Sequence, residues 1–213
     1  MPNKQLGVTP VKQQTEYYCG PANAEMVLTF LGVAQPAGPA TWQDQIYDYI
    51  TKNTNAKRPS LKKAPDDPEN NPAFKEQKCD KCASDPDYYC WSTTPNVLKN
   101  FLNANQSVTT YQVSRRTTER SATDAVLDNI DMGRPCIVLA EGWNHYLVID
   151  GYRHDEKGSV STFGRNLNGI WVCDPLHASA VQYIDFEDWE DTYMGFVPCG
   201  TYAEEIVVLR AKS

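Results

Sequence analysis

Gln13-Gln14-Thr15-Glu16-Tyr17-Tyr18-Cys19-Gly20-Pro21-Ala22 leads straight into a run in which Met26, Val27, Phe30 and Leu31 recur at i, i+1, i+4 and i+5. That spacing marks one buried face of a helix, so Cys19 is placed at a helix start. Pro21 fits this start, because a proline in the first turn forfeits no helical hydrogen bond. The first N–H groups of a helix have no partner within it, and the peptide dipoles add there. A thiolate, the reactive form of cysteine, is favoured at such a position, the more so beside an imidazolium. Gln13, six residues upstream, can turn its amide toward the same spot as a donor for an oxyanion. Gln14 is adjacent, and the register of the loop decides between them.

Working outward, the helix is expected to end near Gly32, directly after Leu31. Residues 1–12 read as an extended lead-in, and residues 34–40, with two prolines and a glycine, as a loop. Thr41 is a cap for a second helix striped by Trp42, Ile46, Tyr49 and Ile50. Thr94 and Pro95 open a third, with Val97, Leu98, Phe101 and Leu102 on its apolar face. A strand is expected over 108–113 and a helix over 121–132, with Val126, Leu127 and Ile130 inward and Gly133 closing it.

The texture then changes. Residues 136–140 and 146–149 are short apolar runs, the pattern of two neighbouring buried strands, and 170–173 forms a third, ended by Asp174-Pro175. Between them 153–168 reads as a polar loop. A strand at 181–184, a short helix at 186–193 and a strand at 206–209 complete the chain. Helices first and strands later predict an α+β fold.

A chain of 213 residues with 41% hydrophobic and 22% charged residues supports one globular domain with a large core and excludes wholesale disorder. With 20 Lys plus Arg against 27 Asp plus Glu, the net charge is −7. That balance repels phosphate backbones and anionic membranes, so a nucleic-acid partner is not expected. No apolar run approaches the roughly 18 residues of a spanning helix, and Met1-Pro2-Asn3-Lys4 has no apolar h-region behind it. The chain reads as soluble, its compartment and oligomeric state open.

From about residue 52 to 92 the composition shifts to Lys, Asp, Asn and Pro, which identifies a polar insertion that buries little by itself. It carries Cys79, Cys82 and Cys90, three thiols suited to zinc but lacking a fourth ligand, or to disulfides that tether the segment. With Cys19 set aside, six cysteines are left, compatible with three disulfides or with none. Cys136 and Cys173 lie in apolar runs, where cysteine behaves as a small hydrophobe.

Gln13, Tyr18-Cys19-Gly20-Pro21-Ala22, the later Asn144-His145-Tyr146-Leu147-Val148-Ile149-Asp150-Gly151-Tyr152 and Trp171-Val172-Cys173-Asp174-Pro175 together resemble a papain-like cysteine peptidase of the C39-like group. The resemblance spans about residue 10 to 176 and is weakest over 52–92. It implies a papain-like fold, a helical N-terminal half packed on an antiparallel sheet half with the site between them, and a peptide or protein substrate with no cofactor and no metal. It also implies roles: Cys19 as nucleophile, His145 as base, Asp174 orienting the imidazole, Gln13 and the Cys19 N–H holding the oxyanion. Each residue has a plainer reading: a buried structural thiol, a satisfied strand-edge histidine, an aspartate that starts a turn before proline. Of the three histidines, His154 lies in a charged stretch, and His177 follows Asp174 too closely to be oriented by it across a cleft. The same triad serves acyl transfer or glutamine deamidation, and a fold of this kind also serves as a non-catalytic binding module.

Overall fold

The computed structural model of the chain describes residues 4–15, 18–35, 37, 40–53, 94–140, 145–154, 160–162, 165–177, 180–196 and 205–212. Helix α1 runs Cys19–Phe30, starting where Cys19 was expected to start it. The expected single stripe is instead burial almost all round: Cys19 to Ala24 and Met26 to Leu28 are all buried. The reason is tertiary, since α1 is enclosed by two further helices and the sheet. Its end is set by Gly32 at φ +75°, with Val33 N–H donating to the Leu28 carbonyl and Gly32 N–H to that of Thr29. Only glycine enters that left-handed region without strain.

Helix α2, Trp42–Asn53, begins with a reciprocal cap: the Asp44 N–H donates to the Thr41 hydroxyl, and the Thr41 N–H donates to the Asp44 carboxylate. Helix α3, Pro95–Asn105, carries its proline in the first turn and buries Val97, Leu98, Phe101 and Leu102. Phe101 meets Trp42 and Tyr49 edge-on, at centroid distances of 6.2 and 5.1 Å, which locks α3 to α2.

One antiparallel sheet receives these helices. Its strands are β1 (Lys4–Gln5), β2 (Tyr111–Arg116), β3 (Cys136–Ala140), β4 (His145–His154), β5 (Val160–Thr162), β6 (Arg165–Cys173), β7 (Gln182–Asp185) and β8 (Ile206–Ala211). The order is β2-β8-β3-β4-β6-β5, with β1 paired to β4 and β7 to β6. Helix α4, Glu119–Asp131, follows β2 and covers the opposite face from α1, α2 and α3. Alternate residues therefore enter two cores: Ile137, Leu139, Tyr146 and Val148 pack toward α1, while Cys136, Val138, Leu147 and Ile149 pack toward α4, Phe186 and Trp189. A sheet covered on both sides needs unbroken apolar strands, which is why 136–140 and 146–149 lack polar interruptions.

The α+β class with helices against an antiparallel sheet is as anticipated, and several elements differ from expectation. The lead-in is partly a strand, β1. The strand expected at 108–113 is Tyr111–Arg116, and Val108 is exposed. The described residues of the loop expected at 153–168 are strand, since β4 runs to His154 and β5 and β6 pair beyond it. A backbone ladder needs no apolar side chains, so polarity alone misled the reading there. The helix at 186–193 is a short α-turn, Phe186–Asp188, continued as a π-helical turn, Trp189–Tyr193. Helix α2 extends through Asn53, and residues 54–93, with Cys79, Cys82 and Cys90, lie outside the described residues, as does Cys199.

β1 lies so close over β4 that a Cβ added to Gly151 would stand 2.2 Å from the Lys4 carbonyl oxygen. Gly151→Ala is therefore expected to displace β1 and destabilise the protein by about 1–3 kcal/mol, read as a lowered midpoint of thermal unfolding with α-helical circular dichroism retained; an unchanged midpoint would show that β1 is free to shift.

Candidate active site

The sheet register brings the site together. β4 and β6 pair Val148 with Cys173, so His145 at the start of β4 and Asp174 just past the end of β6 lie at the same edge. The start of α1 abuts that edge. His145 Nε2 stands 2.7 Å from Asp174 Oδ1, and the Cys19 side chain is close enough to the His145 ring to raise its basicity. With Nε2 taken by the carboxylate, Nδ1 is the nitrogen left for sulfur. Cys19, His145 and Asp174 are all buried, at 8%, 5% and 8% exposure, so the contact is largely shielded from solvent.

Asp174 is held from three directions. The Leu176 N–H donates to Oδ1 at 2.8 Å, and His177 Nδ1 lies 2.9 Å from Oδ2. His177 was set aside as too near Asp174 in sequence to be oriented by it. It does engage the carboxylate, within a turn closed by its own N–H on the Asp174 carbonyl, and its side chain is mostly exposed. The two histidines thus occupy opposite oxygens of the carboxylate. His154, at the far end of β4 and about 30 Å away by strand rise, stacks on Tyr152 and takes no part.

Burial by itself would lower the basicity of His145, yet the hydrogen bonds to Asp174 and Cys19 and their charges prevail and lift its pKa from 6.5 to about 9. Burial would likewise raise the Asp174 carboxyl, and the donors from His145, His177 and Leu176 overturn this, holding it at about 2. The pair is therefore charged over a wide range.

Gln13 and Gln14 differ in burial. Gln13 is buried, its N–H donating to the Pro175 carbonyl at 3.0 Å and its side-chain Nε2 to the Thr15 carbonyl at 2.9 Å, while Gln14 is exposed. Gln13 is thereby tied to the residue following Asp174. Asn23 is a residue the sequence reading passed over. Fully buried and one turn beyond Cys19, its Nδ2 donates both to the Cys19 carbonyl at 2.7 Å and to the Tyr146 carbonyl at 2.8 Å. It braces the cysteine-bearing turn against the strand that starts with His145. A lone asparagine among small and apolar helix residues was the available signal. Cys136 and Cys173 are buried free thiols, which excludes pairing of all six remaining cysteines. Burial, reinforced by the Asp150 charge, pushes Cys173 up to about 12, and burial pushes Cys136 higher still. Both are inert by comparison with a thiol at a helix start. Among the described residues no cluster of His, Cys, Asp and Glu is arranged to hold a metal, and no helix is long and apolar enough to cross a membrane.

The ion pair makes stability depend on pH in a defined sense. His145, raised on folding, adds stability that is complete below 6.5 and disappears as pH rises through about 9. Asp174, depressed on folding, adds stability that is complete above 3.8 and disappears as pH falls through about 2. Asp174→Asn should therefore lower the unfolding temperature most between pH 4 and 6.5, with the gap to the native protein narrowing as pH climbs from 6.5 through about 9. The His145 ring, followed by NMR, should titrate well below 9 in that variant; an unchanged midpoint would mean that Asp174 does not set its basicity.

The chain was compared with known proteins. No curated protein matches it. Among solved structures it is similar to a double glycine motif protease from an AMS/PCAT transporter in complex with the leader peptide, at 12% identity, TM-score 0.48, and coverage of 98% of this chain and 94% of that one. It is also similar to the peptidase domain of Streptococcus ComA, a bi-functional ABC transporter involved in a quorum sensing pathway, at 13% identity, TM-score 0.48, and coverage of 96% and 99%. Neither likeness is high enough to bear on chemistry. The decisive match is to a family model over residues 5–198, nearly the whole described core, and by it the chain belongs to the Peptidase_C39 like family.

Proposed function

We propose that this single domain is a cysteine peptidase that hydrolyses a peptide or related amide bond through a thioester on Cys19, with His145 as base, Asp174 as its orienting carboxylate and Gln13 as an oxyanion donor. The observation that supports the proposal is the buried His145–Asp174 hydrogen bond of 2.7 Å at the sheet edge met by the helix that begins with Cys19. Membership of a peptidase family supports the reaction class.

The residues allow a balanced sequence of steps. With the imidazole of His145 already holding the thiol proton, Cys19 Sγ attacks the carbonyl carbon as the thiolate of a thiolate–imidazolium pair. The carbonyl π electrons move to oxygen, where the helix-start N–H of Cys19 and the second amide hydrogen of Gln13 would stabilise the charge. As the tetrahedral species collapses, the C–N bond breaks and His145 protonates the departing amine. Water then attacks the thioester, gives a proton to His145, and the C–S bond breaks to release the acid and return Cys19 as thiolate beside the protonated imidazole. Asp174, ionised throughout, stabilises the imidazolium in both halves without itself accepting a proton. The substrate in this reading is a peptide or protein.

Cys19→Ala should abolish labelling by iodoacetamide at neutral pH and any cleavage of added peptides, with the unfolding profile nearly unchanged. Cys136 and Cys173 are expected to be inert, and peptide masses assign any labelling at Cys79, Cys82, Cys90 or Cys199, so the signal read is that at position 19. Persistent rapid labelling at another cysteine would sink the assignment. Product masses separate hydrolysis from acyl transfer to an amine and from glutamine deamidation on the same residues.

A further inference from the structure

An oxyanion donor helps only if it is fixed before the reaction begins, because a donor that must be organised during the step loses its advantage. Gln13 sits in the loop that precedes α1, outside any ladder of the sheet. Its placement must come from elsewhere. Gln43, the second residue of α2 and 1% exposed, supplies it. The Gln43 Nε2 donates to the Lys12 carbonyl at 2.9 Å, and the Gln14 N–H donates to Gln43 Oε1 at 2.9 Å. One side-chain amide therefore takes the groups on either side of Gln13, as a neighbouring strand would. The same Nε2 also donates to Glu25 Oε2 at 3.0 Å, on the helix that begins with Cys19. Between these bonds, the Gln13 N–H is held by the Pro175 carbonyl.

We infer that Gln43 is a positioning residue for the oxyanion site: it locks the loop register that buries Gln13 and ties that loop to the cysteine-bearing helix. The inference rests on the reading of Gln13 as an oxyanion donor. A glutamine that only stapled the fold would satisfy the same backbone groups, so the two roles differ in what they do to reactions at Cys19. Acylation passes through an oxyanion; alkylation by iodoacetamide does not.

The test uses the full chain with p-nitrophenyl acetate as acylating probe and iodoacetamide as alkylating probe, on the native protein, Gln13→Ala, Gln43→Met and the double variant. Methionine preserves length and volume while removing both hydrogen-bonding groups. Gln43→Met is expected to slow acylation about tenfold or more, toward the roughly hundredfold typical of losing an oxyanion donor, with alkylation within about twofold of native. The double variant should acylate no more slowly than Gln13→Ala, because both changes remove one function. Normal acylation by Gln43→Met beside a slow Gln13→Ala overturns the inference alone, and so do multiplicative losses or a parallel fall in alkylation. Native-like acylation by Gln13→Ala would remove the oxyanion reading itself. Should Gln43→Met fail to fold, Gln43→Glu combined with Glu25→Gln loses the donor to Lys12 without placing two carboxylates together, and is judged by the same measurements.

Discussion

The hydrogen bond between His145 and Asp174 joins the first residue of one central strand to the residue just past the end of its neighbour, in surroundings that exclude most water. A buried imidazole and a buried carboxylate are each unfavourable when alone. Together, with the Leu176 N–H and His177 also on the carboxylate, they are mutually satisfied and stay charged. The helix that begins at Cys19 must end its approach against this pair, which is why its first turn is buried and why a buried asparagine secures it to β4.

The sheet behind the pair is rigid for a simple reason. Both faces are covered, by α1, α2 and α3 on one side and by α4 with Phe186 and Trp189 on the other, so the central strands have no solvent side on which to relax. Two of the covering helices end in the same way, with Gly32 and Gly133 at positive φ and the following residue bonded back into the helix. These stops fix where each chain segment turns back to the sheet. Side chains at the site edge then inherit their positions from packing rather than from loop preference.

Much of this was legible from residue patterns because it depends on local physics. Helix starts at Cys19, Thr94–Pro95 and Thr41 follow from caps and proline, and helix stops from glycine. The apolar runs at 136–140 and 146–149 announce strands with no exposed face. The stretch 153–168 was not legible, since polar side chains on a ladder resemble a polar loop. Nor was the burial of Gln13 beside an exposed Gln14, a register that Gln43 and Pro175 impose from elsewhere in the chain.

What the residues determined unaided was the inventory: an α+β chain of one reactive-looking cysteine at a helix start, three histidines, and an aspartate closing a buried strand. Periodicity and capping are properties of neighbours in sequence, so they survive without a fold. That His145 bonds Asp174, that His177 shares the carboxylate, and that Asn23 reaches a strand 123 positions away were decided only by the tertiary structure. Those contacts depend on strand register and on helices closing over both faces of the sheet, and no local pattern encodes distances between segments so far apart.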